Sequence, residues 1–72
     1  MNNIEIGKRI KEIRLNHGIT SVHICRVLDK PRGWLPRREN GKASIALHDL
    51  FLIANALRVP GDVFFKGQGS AK

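Results

Sequence analysis

Seventy-two residues carrying a net charge of +7, with a single cysteine, form one small domain and exclude an intrachain disulfide. A chain this short buries a modest core, so its stability must come from efficient helix packing, a metal or a partner chain. The lone thiol, the lack of a signal-peptide pattern and the shortness of the most apolar run, "LFLIANALRV" at 50–59, lead us to expect a soluble cytoplasmic protein without a membrane span.

The first periodic segment is "IEIGKRIKEIRLNHG". Ile6, Ile10 and Ile13 recur at helical spacing with Leu15 and His17 flanking, while Lys8, Arg9, Lys11, Glu12 and Arg14 take the opposite, solvated face. The spacing predicts a helix over 4–17, ended by a left-handed Gly18. Thr20 suits the N-cap of a second helix over 21–28, whose apolar positions are Val22, Ile24, Cys25, Val27 and Leu28. Cys25 reads as buried filler. Asp29 and Lys30-Pro31 close this helix, because proline drives its predecessor out of the α region.

Farther on, Leu47, Leu50, Phe51, Ala54 and Leu57 mark one face of another helix, with Ser44 or Ala46 near its cap. Pro60 opens a short last element, "PGDVFF", whose Val63 and Phe64 fold back onto the core. The polar, glycine-rich residues 67–72 have the composition of a flexible tail after a domain spanning 1–66. With no strand-period segment, the chain is expected to be all-α: a compact five-helix domain.

Charge is concentrated between Arg26 and Lys42, where six basic and two acidic residues supply +4 of the +7. A sequence pI near 10.6 makes nucleic acid the first partner to consider and an anionic membrane the second. His17, His23 and His48 share no metal-ligand spacing, and one cysteine cannot complete a recognised zinc pattern. We find no nucleophile–base set, phosphate-cradling glycine loop or carboxylate pair, so neither an enzyme, a cofactor nor a metal is expected.

Four fragments, "IGKRIKEIR", "GIT", "RRENGK" and "LIANALRV", together resemble the lambda-repressor-like (Xre/Cro-type) helix-turn-helix family. The likeness extends without a gap over residues 6–65. It implies that the second and third helices form the helix-turn-helix, with the third presented to the DNA major groove. Carried over, it implies that Ser21 supports a backbone or first base contact. Arg32, Gly33, Trp34 and Arg37 meet base edges, and Asn40 and Lys42 hold phosphate. Leu35 anchors the third helix to the core. Arg38 stands where the family is commonly apolar, its stem packing while its head reaches phosphate. Asp29 and Lys30 replace the usual turn glycine and apolar residue; the aspartate is a mild change because it tolerates a left-handed turn, whereas Lys30 replaces a core contact by a charge and is a further DNA-contact candidate.

Pro31 and Pro36 limit the third helix. A proline loses no hydrogen bond within the first three helical positions, and Gly33 as N-cap would place Pro36 third. The restriction on Leu35 before proline instead favours Leu35 as the cap and Pro36 as the first helical residue. The expectation is a short or irregular third helix over 35–40, preceded by an extended, mobile "KPRG" arm, with Arg37 and Arg38 in the first turn. Trp34 retains two readings, a stack on a sugar or thymine methyl and a core or dimer anchor.

The function expected is sequence-specific binding of double-stranded DNA by a small transcriptional regulator, with repression as the first expectation, in the cytoplasm and on the nucleoid of a bacterium or phage-infected cell. A homodimer is expected, its contact placed around Val59, Val63, Phe64 and Phe65. Two alternatives stand beside it: a protein-interaction module using "PRGWLPRR" against an acidic partner, and a non-specific DNA binder.

Overall fold

The first helix, α1 (Asn3–Asn16), forms because Ile6, Ile10 and Ile13 give it one apolar stripe; Ile10 is fully buried and the other two lie against the core. Our computed structural model describes residues 3–64 of the chain. Leu15 and His17 turn outward instead of flanking the core. Arg14, expected on the solvated face, is only 8% exposed. It follows Ile10 by one turn and therefore points inward, where its charge needs a partner.

Three more α-helices follow: α2 (Ser21–Val27), α3 (Trp34–Glu39) and α4 (Leu47–Leu57). The Thr20 hydroxyl caps α2, accepting from the His23 amide at 3.1 Å. The last element is one 3₁₀ turn, Gly61–Phe64, in which the Val63 amide donates to the Pro60 carbonyl at 3.1 Å. The described residues therefore hold four α-helices, not five. A segment of four residues that must return Phe64 to the core closes as a single tight turn. The described residues are all-helical, without a strand. Phe65 and the tail at 67–72 lie outside the described residues.

All four helices end in one motif: a left-handed residue, bridged by an amide-to-carbonyl bond five residues back. Ile19 donates to Arg14, Lys30 to Cys25, Lys42 to Arg37 and Val59 to Ala54, at 2.8–3.0 Å. Two of the left-handed positions are not glycine: Asp29 at φ 60° and Arg58 at φ 62°. Aspartate adopts this conformation at little cost, whereas arginine pays about 1 kcal/mol for it. Arg58→Gly is accordingly expected to raise the melting temperature by about 4–8 °C, measured by circular dichroism.

Ile10, Ile24, Cys25, Leu35, Leu50, Ile53, Ala54, Leu57 and Phe64 form the core, so every element contributes. The inner face of α4 is rotated from the expected one. Ile53 takes an inner position, while Leu47 and Phe51 are 60% and 50% exposed. Phe51 stands over Gly61, which leaves no room for a Cβ there.

In α3 the alternative placement of Pro36 holds. Gly33 is the N-cap and Trp34 the first helical residue, so Pro36 is third; the first helical bond is Arg37 amide to Gly33 carbonyl at 3.2 Å. Leu35 is helical despite preceding proline. Its side chain is fully buried, a gain of about 1.5–3 kcal/mol that outweighs the local bias. The "KPRG" segment is a turn and not an extended arm, because the Trp34 amide donates to the Pro31 carbonyl at 2.9 Å.

Candidate nucleic-acid interface

Between α2 and α3 the chain reverses at left-handed Asp29 and runs through Lys30–Gly33 into α3. The buried Cys25 thiol donates to the Arg32 carbonyl at 3.6 Å, tying this turn back to α2. Cys25 is thus core filler, as expected, and also a backbone anchor. The Arg32 side chain is exposed.

Arg37 and Arg38 lie in the last turn of α3, not the first. Starting the helix at Trp34 moves them to its negative end, where cations are favoured. The repulsion that a first-turn placement implied is absent. Arg37 is exposed; Arg38 is not spent on solvent. Its guanidinium lies 4.3 Å from the centre of the Trp34 ring and donates through Nη1 to the Trp34 carbonyl at 3.0 Å. Its Nε is buried without a hydrogen-bond partner. Lys30, placed where the resemblance implies a core contact, lays its ammonium 5.2 Å from the same ring. The half-buried indole, packed against the core, thus keeps both charges out of the core.

Eight of the nine sequence-derived positions consequently separate into two groups. Arg32, Gly33, Arg37, Asn40 and Lys42 are exposed along one chain segment. Nothing lies within 4 Å of a Cβ built on Gly33, so the approach to the start of α3 is open. Lys30, Trp34 and Arg38 form the cation–aromatic cluster. Ser21 is half-buried at the start of α2. Of the residues expected at a self-contact, Val59 and Val63 are half-buried and packed on the core. Phe64 is fully enclosed by its own chain, folded back onto the core as expected.

Two features that hold α3 in place were missed in the sequence. Arg14 pairs with Glu39 through two bonds, Nε to Oε2 at 2.7 Å and Nη2 to Oε1 at 3.0 Å, and donates through Nη1 to the Ile19 carbonyl at 2.9 Å. One guanidinium so ties α1, the α1–α2 corner and the end of α3. The signal available was the position of Arg14, one turn beyond Ile10 on the apolar stripe. Gly7 is the second: a Cβ there would fall 2.7 Å from the Glu39 carbonyl oxygen and collide with that of Arg38. Only glycine permits this approach of α1 to the α3 backbone.

Among the described residues no three His, Cys, Asp or Glu side chains gather to hold a metal, and no helix is long and apolar enough to cross a membrane. No protein-family model matches the chain, and no curated protein gives a significant match to it.

Proposed function

We propose that this protein is a sequence-specific double-stranded DNA-binding protein of the lambda-repressor-like helix-turn-helix type, acting as a small transcriptional regulator and most simply as a repressor. The observation that carries the reading is the exposed row Arg32, Arg37, Asn40 and Lys42 along the short α3 and its flanks, in the segment where the positive charge is concentrated. Arg32 and Arg37 are free to make the bidentate contacts to guanine that arginine geometry suits. Asn40 and Lys42 supply phosphate contacts. Lys30, Trp34 and Arg38 shape the surface from beneath rather than touching bases. An interaction module built on a free tryptophan is disfavoured, because that ring is already occupied by two cations. A single module of this size binds weakly, so the working form is a homodimer on a two-fold-related site, with Val59 and Val63 at the self-contact.

Selection of bound duplexes from a random pool tests the reading. The expected result is one enriched sequence with two related half-sites. Arg37→Ala is expected to relax one base position and to weaken the selected site by about 1–3 kcal/mol. Binding that is steeply salt-dependent without an enriched sequence would make the protein a general duplex binder. A strict monomer at micromolar concentration by light scattering overturns the dimer.

A further inference from the structure

The charged row on α3 does not end at Lys42. The tight contact at Gly7 draws α1 across the end of α3. A groove results, lined by Lys8, Lys11, Glu12 and Leu15 of α1 together with Glu39 and Asn40. Arg37 and Asn40 are three residues apart and share one side of α3, so the groove continues the arginine-bearing surface. Its far edge is fixed as well. The left-handed Gly41 lies against Ile4, a helical turn before Lys8, so the Asn40–Lys42 segment runs beside the Ile4–Lys8 edge of α1.

The charges in this groove are unevenly committed. The Glu39 carboxylate is consumed by Arg14. Glu12 is one turn from Lys8, yet no ion pair joins the two. Lys8, Lys11, Asn40 and Lys42 are all exposed. Two ammonium groups and an amide thus line a shallow channel, with Lys42 two residues beyond Asn40, while one uncommitted acidic side chain in the lining, Glu12, opposes them.

We infer that this α1–α3 groove is a second contact for the DNA backbone, in which Lys8 and Lys11 hold the phosphates that follow those met by Asn40 and Lys42. The inference rests on the DNA-binding reading and extends its footprint from the helix-turn-helix onto the first helix. The occupant is a phosphodiester strand of duplex DNA: the shallow channel presents the exposed Lys8 and Lys11 three residues apart on one helix. Ammonium contacts of this kind add affinity and salt dependence without sequence preference.

The test is the log–log salt dependence of binding to a mixed-sequence duplex, followed by fluorescence anisotropy of the labelled DNA. Removing two phosphate contacts in Lys8→Gln/Lys11→Gln is expected to lower the slope by about 2, since each contact contributes about 0.9. Base preference in the random-pool selection should stay the same. Lys8→Arg/Lys11→Arg should retain the wild-type slope. Arg58→Gly, which removes one charge from the α4 corner and not from the groove, should leave it unchanged. Glutamine and lysine have similar helix propensity, so the double variant is expected to melt close to wild type; the two single variants, each losing about 1 in slope, read the same quantity independently. An unchanged slope in folded Lys8→Gln/Lys11→Gln overturns this inference alone. An equal loss per charge in Arg58→Gly also overturns it, because the effect would then belong to net charge. Absence of salt-dependent duplex binding by the wild-type chain overturns the DNA-binding reading and this inference with it.

Discussion

Gly7→Ala is expected to destabilise the domain by about 2 kcal/mol, lowering the melting temperature by roughly 8–16 °C. Two effects of opposite sign meet at this position. Alanine is the better helix former by about 1 kcal/mol, and in an exposed helix interior it would stabilise α1. Here the added methyl would fall 2.7 Å from the Glu39 carbonyl oxygen and against that of Arg38. Backbone oxygens cannot swing aside as a long side chain can, so α1 must lift off α3. Lifting it strains the Arg14–Glu39 pair and loosens Ile10, which is fully buried. Thermal unfolding of Gly7→Ala and Gly7→Val decides the matter: graded losses are expected, with valine the worse. A melting temperature raised by Gly7→Ala would mean that the helices do not approach so closely.

Features set by neighbours in sequence were legible there. The Ile10 stripe, the Thr20 cap, the left-handed Gly18 and the left-handed Asp29 each depend on a few adjacent residues, and each was expected. The third helix was half legible. Backbone rules narrowed Pro36 to the first or third position, but the choice turned on burial of Leu35, a tertiary fact. That two-residue shift of the helix start moved Arg37 and Arg38 from the positive to the negative end of the helix, where their charge is favoured.

Arg14 and Gly7 were harder to read for a different reason. A charged side chain beside an apolar stripe is ordinarily a solvated one, and a glycine within a helix ordinarily weakens it. Both acquire meaning only from α3, more than twenty residues away in the chain. The cluster of Lys30, Trp34 and Arg38 is similar. The resemblance placed three DNA-contact candidates there; geometry turns them toward one another, leaving Arg32 and Arg37 as the exposed guanidinium groups of that set.

Breaking the Arg14–Glu39 pair from one side is expected to be the most damaging single change in the protein. Arg14→Met leaves a carboxylate whose side chain is 4% exposed without its cation. Such half-removal costs about 3–5 kcal/mol. Total stability of a domain this small is on the order of 5 kcal/mol, so the variant should be largely unfolded at 37 °C by circular dichroism. The double variant Arg14→Met/Glu39→Met is expected to recover most of that loss, because two apolar side chains of suitable length avoid the desolvation of both ions. Recovery should stop about 1 kcal/mol short of wild type. The Ile19 carbonyl, which accepts from Arg14 at 2.9 Å, loses that donor in both variants. The double variant also separates stability from recognition. Arg32 and Arg37 lie outside the pair, so on the proposed DNA-binding reading a refolded double variant should select the same duplex as wild type. On that reading, a refolded protein without the preference would mean that the ion pair also sets the orientation of α3 beyond holding it in the fold. If the two single changes and the double change destabilise additively, the pair has no coupling and the bidentate geometry contributes nothing to the fold.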